Sequence, residues 1–231
     1  MISSKVIIAL DFSERQQVLD LVSGLDPQEC RLKVGKELFT SYGPQIVREL
    51  QALGFEIFLD LKFHDIPNTV YKAIRAAADL GVWMVNVHAS GGRAMLTQAR
   101  QAIADSQNKP LLIAVTILTS LSADEVAEIA YGQDLASQVK HLARLSYECG
   151  LDGVVCSAQE ANIIKSVTAP KFLTVTPGIR LADATKDDQT RVMTPDAAVK
   201  SGADYLVIGR PITQANDPLA ILQGVNRTVN F

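Results

Sequence analysis

A lysine between two aspartates is the strongest chemical pattern in the sequence. Asp60 and Lys62 are two positions apart, so they share one face of a strand, and Asp65 follows shortly after them. Because opposite charges raise the pKa of an ammonium, we expect Lys62 to stay protonated. It would then be a poor base, but a good proton donor and a good stabiliser of developing negative charge. Lys33, on the strand that we interpret as the neighbour, extends these residues into a row of alternating charges.

Two glycine-arginine turns indicate a site for phosphate. One contains Gly178 and Arg180, and the other contains Gly209 and Arg210. Glycine lets backbone N–H groups approach an anion, and arginine supplies a forked donor. We interpret the polar segment 181–193, which follows the first turn, as a lid that closes on the anion. The alternatives are ordinary turns with exposed arginines and a surface loop that closes on nothing.

Segments rich in β-forming residues alternate with segments of helical spacing, which is typical of parallel β-α units with right-handed crossovers. The predicted strands cover residues 6–11, 31–35, 56–62, 84–89, 111–118, 153–157, 172–177 and 205–210. The clearest predicted helices cover residues 44–53, 69–80, 92–104 and 135–149. Gly54, Gly81, Gly150 and Gly202 follow helices at positions where a left-handed cap favours glycine.

Eight such units in 231 residues predict a (β/α)8 TIM barrel, an α/β fold, with residues 1–231 as a single domain. An open doubly wound sheet is the structural alternative. In barrels of this kind the loops that follow the strands build the active site, and phosphate binds after strands 7 and 8. Both glycine-arginine turns fall at those two positions.

Polar residues inside the predicted strands point to the same end of the barrel. Parallel strands that are buried on both faces should be almost entirely apolar, yet three strands here alternate polar and apolar residues. We expect the polar set to face the barrel interior: Arg31, Lys33, Asp60, Lys62, Asn86 and His88. Since buried charges must be paired, the pattern predicts an active site near the carboxyl ends of the strands. A purely structural ion network is the alternative.

Composition argues against several classes of partner. The net charge of −3 and the lack of a basic stripe disfavour nucleic acid. No signal peptide is recognisable, and no apolar stretch approaches the roughly 20 residues of a membrane span. Cys30, Cys149 and Cys156 lack disulfide or metal spacing, so we expect reduced, buried thiols in a cytoplasmic protein. His64 and His88 lack a third ligand, so we expect no metal site.

Residues 60–69, Asp-Leu-Lys-Phe-His-Asp-Ile-Pro-Asn-Thr, closely resemble the signature of the bacterial orotidine 5'-monophosphate decarboxylase family. The resemblance covers essentially the whole chain, and further matching motifs follow the family's order. They lie at residues 9–11, 32–35, 86–89, 115–120, 175–180 and 207–211. This resemblance implies a barrel enzyme without metal or cofactor that makes uridine monophosphate, the last step of de novo pyrimidine synthesis.

The resemblance also implies roles for the charged residues. Lys62 corresponds to the lysine that protonates C6 of the pyrimidine after carbon dioxide leaves, and Asp60 to the carboxylate that faces the substrate carboxylate. Asp65 corresponds to an aspartate lent by a second subunit, which implies a homodimer with shared active sites. Lys33 completes the charged row and, with Asp11, reaches the ribose.

Further residues match substrate-binding positions of the family. Thr119, with Ser120 beside it, corresponds to the residue that reads the pyrimidine edge. Thr69 would approach the ribose or phosphate from the partner subunit. The residues that match the phosphate grip are Arg180, Gln189, Gly209 and Arg210, with Gln189 supplied by the lid.

Two rival interpretations stay open at this point. Related sugar-phosphate decarboxylases and synthases share an Asp-x-Lys-x-x-Asp pattern but use magnesium and act on keto-sugar phosphates. Residues 63–64 and 66–69 favour the nucleotide enzyme over them. The second rival is a nucleotide-binding barrel without catalysis. The complete set of Asp60, Lys62 and Asp65 argues against it, because a binder has no need of a buried charge cluster.

Overall fold

The computed structural model describes residue 2 and residues 4–129, 134–181 and 192–229. Within these residues, eight parallel strands form a closed barrel in which each strand pairs with its neighbours in chain order. Helices occur between the strands, so the predicted (β/α)8 barrel is confirmed and the open sheet is wrong. We call the end where the strands finish, near Ala9, Gly35 and Phe63, the upper mouth, and the opposite end the lower mouth.

The strands are short, and most end before the predicted boundary. They are β1 (Val6–Ala9), β2 (Arg31–Gly35), β3 (Ile57–Phe63), β4 (Met84–His88), β5 (Leu111–Val115), β6 (Gly153–Val155), β7 (Leu173–Thr176) and β8 (Tyr205–Ile208). Only β2 has both predicted bounds, and β3 ends one residue later than predicted. The other six predictions run one to three residues too far at the carboxyl end, because those residues leave the sheet to form upper-mouth loops.

The helices surround the barrel. They are α1 (Arg15–Ser23), α2 (Lys36–Ala52), α3 (Pro67–Asp79), α4 (Gly92–Asp105), α5 (Ala123–Glu128), α6 (Leu135–Glu148), α7 (Ala161–Val167), α8 (Pro195–Lys200), α9 (Arg210–Thr213) and α10 (Pro218–Val229). Short 3-10 turns cover Ala89–Gly91 and Ala158–Glu160. The predicted C-terminal glycines are confirmed: Gly54, Gly81, Gly150 and Gly202 have φ values of 93°, 78°, 77° and 94°.

Helix α2 corrects one prediction. The predicted helix at 44–53 is only its second part, since α2 begins at Lys36. Gly43 interrupts the helix with φ 59° and ψ −155°, a conformation that favours glycine. Pro44 follows directly, where it can start a helical turn but cannot continue one. The sequence prediction therefore recognised the second start and missed the first.

The core has two parts, separated by the barrel wall. Apolar residues of the outer face, such as Leu32, Leu59 and Val85, pack between strands and helices. A smaller cluster fills the barrel interior with Ile7, Ala9, Phe58, Met84, Ile113, Val115, Val155, Val175 and Val207. The predicted alternation of strand side chains between the two faces is thus confirmed for β2, β3 and β4.

Arg31 lies inside the barrel at the lower mouth rather than near the predicted active site. Its Nε donates to Glu56 Oε2 at 2.7 Å, and its two terminal nitrogens donate to the carbonyls of Ser4, at 2.8 Å, and Ile2, at 3.2 Å. Because Arg31 is the first residue of β2, its side chain belongs to the end at which the strands begin. Here the alternative of a structural ion network is the better description.

Two aromatic rings complete the surroundings of Arg31. Its guanidinium carbon lies 4.3 Å from the Trp83 ring centroid and 5.4 Å from that of Tyr205. The two rings meet edge to face at 5.2 Å. Cation–π contacts of this kind stabilise a desolvated guanidinium.

The cysteines differ in burial. Cys30 and Cys156 are buried free thiols, as predicted, whereas Cys149 is a free thiol that is only half-buried. Cys149 lies just after α6, with Sγ 3.9 Å from an Arg93 nitrogen, so its burial was predicted wrongly. Across the described ranges, none of the helices has the length and apolar character that crossing a bilayer requires.

Candidate active site

A cavity of about 650 Å³ opens at the upper mouth. Most of the predicted site residues line it: Asp11, Lys33, Asp60, Lys62, Thr119, Arg180, Gly209 and Arg210. Apolar side chains of the barrel interior, including Phe58, Val155 and Val207, also contribute to its wall. Residues from several separate strand ends therefore converge on one space, as expected for an active site in this fold.

Four charged side chains form a continuous row along the cavity wall. Lys33 Nζ lies 3.1 Å from Asp11 Oδ1 and 3.4 Å from Asp60 Oδ2. Lys62 Nζ lies 2.7 Å from Asp60 Oδ1. The order Asp11, Lys33, Asp60, Lys62 alternates in sign. The predicted row is confirmed for Lys33, Asp60 and Lys62, but its fourth member is Asp11 instead of the predicted Asp65. The Lys33 and Asp60 side chains are only 10% exposed, whereas Asp11 at the rim is 67% exposed.

The charges of the row determine the protonation of its buried members. Burial alone would raise the pKa of Asp60, but the ammoniums of Lys33 and Lys62, with hydrogen bonds from Lys62 and Asn86, hold it below its usual range. Burial alone would lower the pKa of Lys33, but Asp60 and Asp11 outweigh it and raise the pKa. Both groups are therefore held in their charged forms.

The backbone at Lys62 is irregular. Its φ of 52° makes it the single non-glycine residue at positive φ in the part of the chain that the structure describes. Such a conformation costs free energy and persists only where surrounding contacts enforce it. At the same place the pairing of β3 with β4 shifts register. The site thus contains a strained residue at the position that sequence analysis assigned to proton donation.

Asn86 supplies the contacts at this irregularity. Its Oδ1 accepts a hydrogen bond from the backbone N–H of Lys62 at 2.8 Å, and its Nδ2 donates to Asp60 Oδ1 at 2.7 Å. The side chain is completely buried. The alternation of polar and apolar residues in β4 predicted that Asn86 lies inside the barrel, but Asn86 was not among the predicted site residues.

The two predicted glycine-arginine turns follow the neighbouring strands β7 and β8 and line the same cavity as the charged row. Gly178 has φ 79°, and the turn is closed by hydrogen bonds from Arg180 N to Met193 O at 3.0 Å and from Met193 N to Gly178 O at 3.2 Å. Gly209 directly precedes α9, and a Cβ on it would lie 3.5 Å from the Ala9 Cβ. Arg180 and Arg210 both line the cavity, so the turns can present backbone N–H groups and guanidiniums to one anion.

Comparison with known proteins agrees with this geometry. The model of the "Orotidine 5'-phosphate decarboxylase / HUMPS family" matches residues 4–225. The chain is 58% identical over 228 residues to the orotidine 5'-phosphate decarboxylase of Chromobacterium violaceum, covering 99% of this chain and 92% of that protein. The corresponding protein of Laribacter hongkongensis is 59% identical over 223 residues, covering 96% and 92%. This chain belongs to the orotidine 5'-phosphate decarboxylase / HUMPS family.

Solved structures give the same result. The crystal structure of orotidine 5'-phosphate decarboxylase from Lactobacillus acidophilus superposes with a TM-score of 0.87 at 38% identity, covering 98% of this chain and 99% of that one. An uncharacterized conserved protein from Geobacillus kaustophilus has a TM-score of 0.85 at 40% identity, covering 97% and 100%. The predicted family, and with it the predicted enzyme class of decarboxylase, is confirmed.

Two residues of the predicted site, Asp65 and Thr69, do not line the cavity, and a third lies outside the described residues. Asp65 is exposed in the loop after β3, where its Oδ1 accepts from the backbone N–H of Ile66 at 2.6 Å. Thr69 is exposed in the first turn of α3. Gln189, together with residues 182–191 of the predicted lid, lies outside the described residues.

The cavity also has polar lining residues that sequence analysis did not select. They are Gln17 on α1, and Thr213 and Gln214 at the end of α9. Thr213 and Gln214 follow the Gly209-Arg210 turn by one helical turn, and that spacing was an available signal. Gln17 offered no such signal, because its approach to the cavity depends on how α1 packs against the barrel.

His64 and His88 form a pair beside the charged row. Their ring centroids are 5.4 Å apart. Burial, followed by the nearby charges of His64, Lys36 and Lys62, lowers the pKa of His88 to about 4. Within the described ranges, no group of three or more histidine, cysteine, aspartate or glutamate side chains is placed to hold a metal ion.

Proposed function

We propose that the protein converts orotidine 5'-monophosphate into uridine 5'-monophosphate and carbon dioxide in the upper-mouth cavity, as the last step of UMP synthesis, with Lys62 as proton donor. Family membership and the relatives named for this activity support the reaction. The observation that carries the role of Lys62 is its position. Its ammonium ends a buried row of alternating charges and lines the cavity.

The proposed chemistry begins with loss of the substrate carboxylate. The bond from C6 to the carboxylate carbon breaks, its electron pair stays on C6, and neutral carbon dioxide leaves. The pyrimidine ring delocalises this electron pair poorly, so a fixed positive charge beside C6 lowers the barrier. The ammonium of Lys62 supplies that charge. An Nζ proton then moves to C6, which yields uridine 5'-monophosphate and a neutral amine.

The rest of the row supports that step. Asp60 faces the substrate carboxylate and accepts the Lys62 hydrogen bond at 2.7 Å, which directs the ammonium. Lys33 compensates the charge of Asp60 and, with Asp11, contacts the ribose. Because these groups are already paired and oriented in the protein, little reorganisation is needed during the reaction.

The turns that follow β7 and β8 bind the remainder of the nucleotide. In this proposal Arg180, Gly209 and Arg210 hold the phosphate, with Gln189 joining them from the segment that sequence analysis interprets as a lid. Thr119, which is buried in the cavity wall, contacts the pyrimidine edge. Binding energy from the phosphate, remote from the reacting carbon, then serves to orient C6 against Lys62.

We further propose a cytoplasmic homodimer in which Asp65 and Thr69 complete the site of the other subunit. Their exposure, outside the cavity of their own chain, supports this arrangement. Ile66 between them is also exposed, at 67%, so a partner subunit at this loop would bury apolar surface. The free thiols of the three cysteines fit a reducing compartment.

One experiment with two variants tests these roles. Lys62→Ala should reduce kcat by about 1000-fold or more, because both the fixed charge and the proton donor are removed. Binding of uridine 5'-monophosphate, measured by calorimetry, should survive. The control is Lys171→Ala, an exposed lysine just before β7 at the lower mouth, which should leave kcat unchanged. Near-normal turnover by Lys62→Ala would reject the proton-donor role.

Mixing then tests the shared site. Asp65→Ala should also be inactive as a homodimer. Heterodimers of Asp65→Ala with Lys62→Ala contain one site that has both residues intact, so part of the activity should return. If purified heterodimers stay as inactive as the parents, each site is built from a single chain.

A further inference from the structure

The pairing of β3 with β4 leaves three residues opposite one. Asp60, Leu61 and Lys62 lie on β3 between two regular pairings, while Asn86 alone lies between them on β4. The flanking pairs are Leu59 with Val85 and Phe63 with Val87. In an evenly paired ladder, Lys62 would lie level with His88, two strand positions higher in the barrel. The irregularity keeps Lys62 level with Asn86 and beside Asp60.

The Asn86 amide takes over the hydrogen bonding that the ladder loses here. One of its atoms accepts from the Lys62 backbone N–H, and the other donates to Asp60 Oδ1, at 2.8 and 2.7 Å. The same Asp60 oxygen accepts from Lys62 Nζ at 2.7 Å. A single buried amide therefore fixes both ends of the ion pair: the backbone that carries Lys62 and the carboxylate that orients its ammonium.

We propose that Asn86 is a positioning residue for the reaction, which holds Lys62 at its positive φ and aims its ammonium through Asp60. The inference rests on the proposed role of Lys62 as proton donor. Asn86 does not line the cavity, so it acts on the substrate only through Asp60 and Lys62. Loss of the amide should therefore lower kcat while nucleotide binding stays nearly constant.

Two variants of similar size separate positioning from mere core filling. Asn86→Leu keeps the volume and removes both hydrogen bonds. Asn86→Asp keeps the acceptor for the Lys62 N–H but places a second carboxylate against Asp60. Two carboxylates in contact hold a shared proton more tightly than either would alone, which raises one of the two pKa values of the pair. Once that proton is bound, the introduced carboxyl group can donate to Asp60 as the amide does.

The control is Thr174→Val. Thr174 is also completely buried, and its hydroxyl donates to Gly202 O at 2.8 Å, but it lies on the outer face of β7 away from the charged row. It should cost stability without a change in kcat. It shows what losing a buried polar contact does when no catalytic group is attached to it.

The expected results are specific. Asn86→Leu should lower kcat about 100-fold, as a misplaced reacting group does, with the Kd for uridine 5'-monophosphate changed by less than about threefold. In Asn86→Asp the ratio of kcat to that of the unmodified enzyme should rise as the pH falls, because protonation restores the donor. For Asn86→Leu the same ratio should stay flat across that pH range.

Opposite results would overturn the inference. It fails if Asn86→Leu, measured on folded protein, retains the kcat of Thr174→Val, or if the kcat ratio of Asn86→Asp does not change with pH. Lys62→Ala keeps this failure distinct from failure of the proposed function. An active Lys62→Ala removes the proton-donor role itself, whereas an inactive Lys62→Ala beside fully active Asn86 variants removes only the role of Asn86.

Discussion

Two buried cations on one strand show how the ends of the barrel differ. Arg31 and Lys33 are both on β2, point into the barrel and are almost completely buried. At the lower mouth, Arg31 is bound by a carboxylate, two backbone carbonyls and two aromatic rings. At the upper mouth, the partners of Lys33 among the described residues are the carboxylates of Asp11 and Asp60, which themselves line the cavity. A buried cation thus joins parts of the protein to one another at one end of the barrel and faces a cavity at the other.

Arg31 and Lys33 are buried alike, so it is their binding partners, and not their burial, that distinguish the two ends of the barrel. The groups that contact Arg31 lie at the lower mouth, and Arg31 does not line the upper-mouth cavity. The row at the upper mouth keeps ammonium and carboxylate faces directed at the cavity, where a substrate can meet them. Substitutions at the upper mouth should lower activity or ligand binding, whereas a substitution at the lower mouth should lower stability.

The largest effect is expected for Lys33→Met, which retains the length of the side chain and removes its charge. It leaves Asp60 with Lys62 as its remaining cation and removes the contact to Asp11. We expect kcat to fall on the order of 100-fold or more, as when one preorganised electrostatic contact is lost. Steady-state turnover of orotidine 5'-monophosphate measures this. A variant that loses stability but keeps its kcat would contradict this prediction, because Lys33 would then have a structural role like that of Arg31.

An intermediate effect is expected for Arg210→Ala at the upper mouth. A hydrogen bond to a charged group contributes about 1.5–3 kcal/mol, so uridine 5'-monophosphate should bind roughly 10- to 100-fold more weakly. Uridine, which lacks the phosphate, should bind as before, and calorimetry with both ligands gives the two affinities. Arg144→Ala, an exposed arginine on α6, is the control. Equal losses for both ligands would contradict the phosphate assignment.

The smallest effect on activity is expected for Arg31→Met at the lower mouth. The carbonyls of Ile2 and Ser4 would lose their donor, and we expect the free energy of unfolding to fall by about 2 kcal/mol or more. kcat should not change. Urea denaturation measures the loss, and Arg100→Met, which removes a surface ion pair at 3.5 Å, should cost much less. A drop in kcat at full folding would show that the two ends are coupled.

Period-two alternation within strands was enough to predict most of the upper mouth. It placed Lys33, Asp60 and Lys62 on one face, and the structure joins them into the charged row. The barrel itself followed from the repeat of strands and helices, and the glycine-arginine pairs at the ends of strands 7 and 8 were correctly placed at the cavity. These features are local in sequence, which is why a single chain reveals them.

What could not be predicted depends on contacts between distant segments. The extra residues of β3 are visible only once its register against β4 is known, so the role of Asn86 in the site was missed. Arg31 and Lys33 belong to the same alternation of polar and apolar residues in β2. They differ only in that Arg31 lies at the start of the strand. The place of Gln17 in the cavity lining depends on how α1 packs against the barrel, which the sequence does not show.

The three-against-one pairing of β3 and β4 also bears on the design of new barrel enzymes. A designer who copies Asp60 and Lys62 onto the evenly paired strands of another scaffold would place the lysine about 6–7 Å too far along the strand, at about 3.3 Å per residue. No choice of rotamer corrects an error in the backbone itself. A successful transplant would have to carry the two extra residues of the strand and the facing amide as one unit, before any catalytic side chain is chosen.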